Sequence, residues 1–347
     1  MLDEDRTSYR ADSNKSFVTV AIPVLNEEHH IEQCLASLFD SNYPVEQLEV
    51  LVVDGGSTDR TRDLVKGMAR KWRQIRLLDN PGRIQATAMN IAISEAGGEI
   101  LIRLDAHSRY RPQHIERIVE TLSNGLAENV GGVQLPVGNG FFAAAAASCL
   151  RTSFSMGGST HRVSTEPEYA ESVFLGGWKT ETLRDLEGFN PLWKINEDYE
   201  MNVRIRESGG RVMVVPELKC EYSVRPNPWA LAKQYFRYGF WRMRTIRHHR
   251  SAARPRHFVP ATLILAMIGA AAGISNGISA GWVIPLIYCM ALAIASVNVA
   301  RSERNFSALL APAVFALIHL SFGVGTIAGT LRWAADSIPD TGTNTSG

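Results

Sequence analysis

The order of hydrophobic and polar residues divides the chain into two unlike parts. In the first 225 residues, short apolar runs, typical of buried strands, alternate with segments whose apolar residues recur every three or four positions, as in amphipathic helices. The predicted strands cover 17–25, 48–53, 75–78, 99–104, 173–178 and 211–216. The predicted helices cover 31–38, 58–69, 84–96, 112–123, 141–150 and 197–208. This alternation predicts an α/β domain with a mostly parallel sheet flanked by helices.

The second part contains three long apolar runs, at 258–275, 281–300 and 308–331. None of them contains Asp, Glu, Lys or Arg, and each has the 18 or more residues that a membrane-spanning helix needs. Buried helices of a soluble core are the alternative, but three such runs in succession exceed what a soluble core requires. The sequence therefore predicts about three transmembrane helices.

A basic and aromatic segment at 226–257 joins the two parts. From residue 237 to residue 257 it contains seven Arg and three His and no acidic residue. It is expected to form an interfacial helix that attracts anionic lipid headgroups or the pyrophosphate of a polyprenyl carrier. Because the segment adjoins the predicted spans, nucleic acid is not expected as a partner.

Charge and cysteine usage indicate where the protein resides. The net charge of +1 says little, and the four cysteines form no C-x-x-C pair, so neither a zinc site nor a disulfide framework is expected. Reduced thiols and the lack of a signal peptide fit the cytoplasm. The positive-inside rule places the Arg-rich segment and Arg301 inside, and the loop 276–280 and the C-terminal tail outside. We expect a multi-pass inner-membrane protein with its N-terminal domain in the cytoplasm.

Three acidic motifs are the candidate chemistry of the first part. Asp54 lies in Val-Val-Asp-Gly-Gly-Ser-Thr-Asp, Asp105 in Arg-Leu-Asp-Ala-His, and Glu197 and Asp198 in Asn-Glu-Asp-Tyr-Glu. Asp54 and Asp105 each follow a predicted strand. Because ligands of open α/β sheets bind at the carboxyl ends of the strands, these carboxylates are expected to lie together.

Several motifs in order resemble those of the family 2 inverting glycosyltransferases, which have a GT-A fold. These motifs are Ala21-Ile-Pro-Val-Leu-Asn-Glu-Glu, Val53-Asp-Gly-Gly-Ser-Thr-Asp and Asn196-Glu-Asp. Three others look like the exopolysaccharide subgroup that makes succinoglycan: Leu78-Asp-Asn-Pro-Gly-Arg-Ile-Gln-Ala, Ile102-Arg-Leu-Asp-Ala-His and Gln234-Tyr-Phe-Arg-Tyr-Gly. The resemblance covers roughly residues 17–250. It implies a GT-A catalytic domain at 17–225, between a disordered tail at 1–16 and the membrane segments.

The resemblance implies that a nucleotide sugar, taken here as a UDP-sugar, is the donor substrate. A carboxylate at Asp54 would accept from uracil N3, and Glu27 would accept from ribose hydroxyls. The other residues of this donor-binding set are Pro23, Arg83 and Asp105. Asp54 is alternatively a turn residue, since Asp-Gly-Gly favours a turn, and Arg83 is alternatively solvated or paired structurally.

Asp105 and His107 occupy the place of the family's D-x-D metal motif, with His in the third position. A divalent cation there would neutralise the charge that grows on a diphosphate leaving group. Imidazole suits Mn²⁺ better than Mg²⁺, so Mn²⁺ is favoured without excluding Mg²⁺. A surface loop histidine is the alternative interpretation of His107.

Glu197 and Asp198 look like the family's acidic pair, with Asp198 at the position of the catalytic base. An inverting transfer needs one carboxylate to take the proton of the acceptor hydroxyl. The alternative is that both acids only complement the dipole at a helix start.

Two further motifs are candidates for binding the acceptor or product. Gly177 and Trp178 would shape a sugar site, with the indole stacking on a ring, although a buried Trp is nearly as good an interpretation. Gln234, Arg237 and Tyr238 resemble the Q-x-x-R-W motif of processive synthases, with Tyr in place of Trp. That departure puts processivity in doubt.

The combined hypothesis is a membrane-anchored, metal-dependent inverting glycosyltransferase. It would move a hexose such as glucose to a lipid-linked saccharide in exopolysaccharide or cell-surface glycan synthesis. The alternatives are a polyprenyl-phosphate glycosyltransferase and a membrane scaffold that binds a nucleotide sugar without turning it over. A Rossmann dehydrogenase is disfavoured because the first strand–helix turn lacks G-x-G-x-x-G. The chain would end in transmembrane helices at 258–331 and a tail at 332–347.

Overall fold

The computed structural model describes residues 15–108, 110–157, 164–303 and 306–334. The predicted N-terminal tail lies outside these residues up to residue 14, and the predicted C-terminal tail lies outside them from residue 335.

A mixed sheet forms the centre of the first part. Ten strands are described: β1 Val18–Val24, β2 Leu48–Asp54, β3 Ile75–Asp79, β4 Ile100–Arg103, β5 Asn129–Gly132, β6 Gln134–Val137, β7 Glu168–Tyr169, β8 Phe174–Lys179, β9 Val212–Val214 and β10 Cys220–Ser223. Eight of them are ordered β3-β2-β1-β4-β8-β5-β9-β7, and β6 pairs with β10 in a separate sheet. The pairs β3–β2, β2–β1 and β1–β4 are parallel, as predicted, and β5, which was not predicted, pairs parallel with β9. Strand β8 runs antiparallel between β4 and β5.

Helices cover both faces of this sheet. They are α1 Ile31–Phe39, α2 Thr61–Lys71, α3 Gln85–Glu95, α4 His114–Ser123, α7 Thr180–Asp185 and α8 Glu197–Glu207. Side chains alternate between the faces of a strand, so Ile22 packs in the core shared with α1, α2 and α4, whereas Ala21 packs in the core shared with α3, α7 and α8. The near-continuous apolar strands of the sequence are explained by this double coverage.

The second part is a layer of long helices below the sheet. It comprises α9 Pro228–His248, α10 Pro255–Ser275, α11 Val283–Glu303 and α12 Ala311–Ala334, with α5 Phe141–Leu150 and the short α6 Ser153–Met156 packed beside them. Three of these segments, with their flanking turns, are long and apolar enough to cross a membrane: Pro255–Ser275, Ser279–Ser302 and Phe306–Ala334. Little of the first two is buried, so much of their apolar surface has no protein covering.

Helix α9 links the sheet domain to the membrane helices. At its C-terminal end, the Thr245 hydroxyl accepts from the Trp193 indole at 2.9 Å, and Arg244 donates to the Leu192 carbonyl at 2.5 Å. Along its length α9 packs on α12, where a Cβ added to Gly239 would lie 2.2 Å from the Phe322 carbonyl oxygen. The predicted interfacial segment is therefore helical, and part of its aromatic surface, including the buried Tyr235, faces protein rather than lipid.

Candidate active site

The carboxyl ends of the central strands meet at one edge of the sheet. Val24 at the end of β1 pairs with Asp54 at the end of β2, and Asp54 pairs with Asp79 at the end of β3. The Leu104 amide, just after β4, donates to the Ala21 carbonyl at 2.9 Å. This parallel register brings the Asp54 and Asp105 motifs to the same edge, as the sequence predicts.

The Asp54 carboxylate is fully engaged by its own loop. It accepts hydrogen bonds from the Ser57 hydroxyl at 2.5 Å, from the Gly56 amide at 3.2 Å and from Arg62 at 2.6 Å, and its side chain is completely buried. Burial alone would raise the pKa of Asp54, but the hydrogen bonds from Ser57 and Arg62 lower it. The predicted contact of this carboxylate with uracil is not available in this arrangement, and the turn interpretation describes it better.

The other residues of the predicted donor-binding set surround this loop. Pro23 lies near the end of β1, beyond Ala21, the last residue of β1 that pairs with β4. On the β4 side, therefore, no partner strand needs the backbone N–H that proline lacks. Arg83 is exposed, and its guanidinium lies beside Gly56. Glu27 is held by its amide, which donates to the Thr61 hydroxyl at 2.8 Å. All three therefore lie close to the Asp54 loop.

Arg103 ties two of the acidic motifs together. Its guanidinium donates to the Asp105 carboxylate at 3.2 Å and lies 3.7 Å from the Glu197 carboxylate. Burial would lower the pKa of Arg103, but Asp105 and Glu197 raise it above its ordinary value. The Gln85 amide lies between them and can donate to Glu197 at 3.1 Å. The Asp105 and Glu197–Asp198 motifs, distant in sequence, are thus neighbours.

Glu197 and Asp198 begin helix α8 and differ in environment. Glu197 is buried, and burial followed by repulsion from Asp198 raises its pKa to about 7 despite the opposing charge of Arg103. Asp198 is only partly buried, and its carboxylate accepts from the Tyr199 amide at 2.7 Å. Of the two, Asp198 is the carboxylate more open to a ligand.

His107 and Asp105 are the candidate metal ligands. The His107 Nδ1 lies 3.1 Å from the Glu27 carboxylate, and this hydrogen bond raises the pKa of His107. Metal-binding histidines commonly bond a carboxylate through their second nitrogen, which leaves Nε2 for the metal. Among the described residues no group of three or more His, Cys, Asp or Glu side chains could hold a metal ion. Asp105 and His107 would therefore hold a divalent cation only together with oxygen ligands from a bound substrate or water, as is usual for Mg²⁺ at phosphate sites.

A large cavity joins this site to the membrane helices. Its volume is about 1620 Å³, and Asp105, His107, Glu197 and Asp198 all line it. Its lining also includes apolar side chains of α10 and α12, among them Val259, Leu263, Ile318 and Phe322. One continuous space therefore reaches from the acidic residues to the apolar helices.

The Gln234 motif lies on this cavity as predicted. Gln234, Arg237 and Tyr238 are on α9 and all line the cavity wall. The Gln234 amide donates to the Tyr222 hydroxyl at 2.5 Å and to the Tyr238 hydroxyl at 3.0 Å, which fixes its orientation. These side chains can therefore contact a molecule that occupies the cavity.

Gly177 and Trp178 require a correction. Trp178 is 2% exposed and packs edge-on against Phe189, with ring centroids 5.8 Å apart, in the core of the sheet domain. A Cβ on Gly177 would lie 2.4 Å from the Ile118 side chain. Neither residue lines the cavity, so the predicted stacking of the indole on a sugar is wrong. Gly177 allows α4 to pack closely on β8, and the Trp178 indole packs on the opposite face of the sheet.

Several cavity residues were not among the predicted site residues. Arg103, Gln85, Tyr199, Arg206 and Arg242 line the cavity together with the acidic motifs. Arg103 has a signal in the sequence, because it stands two residues before Asp105 on the strand that carries the motif. Gln85 and Tyr199 also stand inside quoted motifs, but nothing in those motifs marks them as cavity residues. Arg206 and Arg242 lie outside the motifs, so only the tertiary structure identifies them.

Comparison with known proteins identifies the family. The model of "Glycosyl transferase family 2" matches residues 19–166. The succinoglycan biosynthesis protein ExoA of Rhizobium meliloti (strain 1021) is 31% identical over 309 residues, which cover 88% of this chain and 92% of that protein. A dolichyl N-acetyl-alpha-D-glucosaminyl phosphate 3-beta-D-2,3-diacetamido-2,3-dideoxy-beta-D-glucuronosyltransferase of Methanococcus voltae is 28% identical over 232 residues, 65% of this chain and 72% of that protein.

Solved structures support the same fold. The mannosyltransferase PcManGT of Pyrobaculum calidifontis, in complex with GDP-Man and Mn²⁺, superimposes with a TM-score of 0.65 at 20% identity and covers 93% of this chain and 89% of its own. The predicted family and GT-A fold are thus confirmed. With the Asp105 and Glu197–Asp198 motifs gathered on one cavity and a relative this similar over nearly its whole length, the chain belongs to glycosyl transferase family 2.

Proposed function

We propose that this glycosyltransferase is inverting and metal-dependent, and that it moves a hexose from a nucleotide diphosphate sugar to a lipid-linked saccharide. The observation that carries the proposal is the single cavity that connects Asp105 and Asp198 to the apolar side chains of α10 and α12. A soluble donor and a lipid-borne acceptor can meet only in a space that opens to both.

The donor would bind at the carboxyl edge of the sheet, beside the cavity. There Glu27 bonds His107, which lines the cavity, and the buried Asp54 orders the loop that follows β2. Both features favour a bound nucleotide whose diphosphate points toward Asp105. The solved relative from Pyrobaculum calidifontis is described with GDP-Man and Mn²⁺, which supports a nucleotide sugar and a divalent cation. UDP as the nucleotide rests on the sequence resemblance.

Asp105 and His107 would hold the divalent cation, Mn²⁺ or Mg²⁺. When bound, such a cation acts as a Lewis acid on the departing diphosphate. Glu27 keeps the His107 ring oriented, and Arg103 places the Asp105 carboxylate at the cavity wall. These residues thereby position the leaving group on the sheet side of the cavity.

Asp198 is the proposed catalytic base. It faces the cavity and is less buried than Glu197, whose carboxylate is committed to Arg103. A hydroxyl of the acceptor, held above Asp198 near Gln234 and Arg237, would give its proton to this carboxylate as it attacks the sugar carbon. A single base and direct displacement invert the configuration at that carbon. Glu197 positions Arg103 and, through it, Asp105.

The decisive experiment measures nucleotide release by the purified protein across a panel of nucleotide sugars, with membrane lipid extract as acceptor. Asp198→Asn is expected to bind the donor with unchanged affinity and to lose transfer by about 10²–10⁴-fold, the usual contribution of a positioned base. Asp40→Asn, on the exposed end of α1, is the matched control and should transfer normally. Transfer by Asp198→Asn at the wild-type rate would remove Asp198 from this role.

A second candidate is transfer to a polyprenyl phosphate itself. Relatives named undecaprenyl-phosphate 4-deoxy-4-formamido-L-arabinose transferase, from Edwardsiella ictaluri and Proteus mirabilis, match 31% of this chain at 30% and 32% identity. A phosphate acceptor is already ionised and needs no strong base, so full activity of Asp198→Asn with a polyprenyl phosphate would favour this function. A non-catalytic scaffold would release no nucleotide from any donor.

A further inference from the structure

Four arginines converge on one wall of the cavity that Asp198 lines. Arg206 comes from α8, Arg242 from α9, and Arg254 and Arg256 flank the start of α10. Only one acidic side chain bonds any of them in the part of the chain that the structure describes: Glu171 accepts from Arg254 at 2.5 Å and also bonds Arg256. Each oxygen of Glu171 bonds one of these two arginines, and Glu171 forms no ion pair with Arg206 or Arg242.

The guanidinium groups of Arg206 and Arg242 carry buried donors without acceptors. Nε and Nη2 of Arg206 and Nε and Nη1 of Arg242 are shielded from solvent and have no hydrogen-bond partner among the described residues. Arg242 lies 3.4 Å above the ring centroid of Tyr199, which holds it in place but accepts none of these hydrogen bonds. Leaving such groups unpaired is costly unless a ligand supplies the acceptors.

The charge of the whole cavity favours an anion. Its described lining has nine Arg and Lys side chains against four Asp and Glu side chains. The cations are Arg103, Lys194, Arg206, Arg225, Lys233, Arg237, Arg242, Arg254 and Arg256, and the acids are Asp105, Glu171, Glu197 and Asp198. Arg103 is the cation that pairs with Asp105 and Glu197. Most of the excess positive charge therefore comes from other cations, which do not pair with the candidate metal ligand Asp105.

The apolar wall indicates which anion. Val259, Leu263, Ile318 and Phe322, on helices apolar enough to cross a membrane, line the same space as the arginines. A ligand that satisfies both surfaces has an anionic head and a long apolar tail. We propose that Arg206 and Arg242 bind the phosphate group of a polyprenyl-linked acceptor, and this inference rests on the lipid-linked acceptor of the proposed function.

The test is direct binding of a long-chain polyprenyl monophosphate to the full-length protein in detergent micelles. Arg206→Gln and Arg242→Gln are each expected to weaken this binding by about tenfold or more, because each removes a charge-assisted pair of hydrogen bonds. Binding of UDP with Mn²⁺ should stay unchanged in both. Arg70→Gln, which removes one exposed charge on α2, should change neither affinity.

Thermal unfolding separates a binding role from a structural one. The unpaired Arg206 donors contribute no observed hydrogen bond to the fold, so Arg206→Gln should keep or raise the Tm. Arg206→Lys keeps the charge and should retain part of the lipid affinity. A Tm that falls together with the lipid affinity in both Arg206 variants would overturn the inference in favour of a structural role.

Other outcomes overturn the inference in distinguishable ways. Equal loss of UDP and lipid binding in the Gln variants would assign the arginines to the donor diphosphate, and unchanged lipid binding would refute the site. Inorganic phosphate that binds as tightly as the polyprenyl phosphate would exclude the lipid tail from recognition. Vesicles of anionic phospholipid that displace the polyprenyl phosphate would assign the arginines to the bilayer surface. Wild-type protein that binds no nucleotide would instead refute the proposed function.

Discussion

At the residue scale, environment rather than identity separates the acidic side chains of this protein. The Asp54 carboxylate is buried and accepts hydrogen bonds from Ser57 and Arg62. The Asp198 carboxylate faces a cavity and accepts a hydrogen bond from the neighbouring Tyr199 amide. Both follow patterns that the sequence marks equally well. The number of hydrogen bonds already made to a carboxylate decides whether it organises the protein or remains free for a ligand.

His107 should set the choice of metal. Replacing it by Asp supplies a second carboxylate and is expected to shift the preference from Mn²⁺ toward Mg²⁺, because Mg²⁺ prefers oxygen ligands. Calorimetric titration of UDP in the presence of each cation measures the change in the ratio of the two affinities. His29→Asp introduces the same residue at an exposed position that does not line the cavity, and it should leave the ratio as it is. An unaltered ratio in His107→Asp would exclude the imidazole from the metal site.

Glu197 makes stability depend on pH. Its folded pKa of about 7 lies above the ordinary value of 4.5, so the folded state holds a proton that the unfolded chain releases. The stability gained from this protonation is complete below pH 4.5 and is lost as pH rises through about 7. Because glutamine is neutral at every pH, Glu197→Gln should have a free energy of unfolding higher than that of the wild type by on the order of 1–3 kcal/mol between pH 5 and pH 8.

The measurement is the difference in Tm between Glu197→Gln and wild type, without ligands, at several pH values. Glu46→Gln removes an exposed carboxyl and should show no such trend. A Tm difference that is constant from pH 5 to pH 8 would mean that Glu197 ionises normally in the folded protein.

At the element scale, glycines decide how closely α9 and α12 approach. A Cβ on Gly325 would lie 2.1 Å from the Phe236 carbonyl oxygen, and one on Gly329 would lie 2.5 Å from the Phe240 carbonyl oxygen. Small residues that let helix backbones approach are the usual means of packing helices in membranes. Because α9 carries Gln234 and Arg237, this contact also sets the position of the cavity wall.

Gly325→Ala is therefore expected to destabilise the protein by about 1–3 kcal/mol, since the methyl group must push the two helices apart. Transfer should fall as well, because the cavity wall moves with α9. Gly269→Ala on α10 is the matched control: nothing lies within 4 Å of the added methyl group. Equal Tm values for the two variants in detergent would contradict the close packing of α9 on α12.

At the scale of the whole molecule, the helices below the sheet complete the site as well as anchor it. The cavity takes one wall from the sheet domain and the other from α9, α10 and α12. The three apolar helices support membrane anchoring, and the proposed orientation puts the sheet domain in the cytoplasm with the linker between α10 and α11 outside.

This orientation can be tested by labelling single cysteines in intact cells. In a background in which the exposed Cys289 is replaced by Ala, Ser279→Cys on the exposed linker should react with a membrane-impermeant maleimide from outside. Arg70→Cys, on the sheet domain, should react only after the cells are opened. The reverse pattern would place the sheet domain outside and remove access to cytoplasmic nucleotide sugars.

The sequence by itself determined the elements and the family. Apolar runs and helical periodicity are local properties, so they predicted six of the ten strands, five of the six helices flanking the sheet and the three apolar helices within a few residues. They missed the short strands β5, β6, β7 and β10 and the short helix α7. Parallel strands with motifs at their carboxyl ends also predicted that Asp105 would lie at the same edge as Asp54, because register in such a sheet follows from the order of the elements.

Only the tertiary structure decided which side chains are available and which are enclosed. Trp178 is buried because β8 lies between β4 and β5, a pairing that no local pattern encodes. Arg206 and Arg242 share a cavity because α8 and α9 pack near each other, although 36 positions separate them in the chain. Burial and charge balance are sums over distant neighbours, and a local pattern of residues does not contain those neighbours.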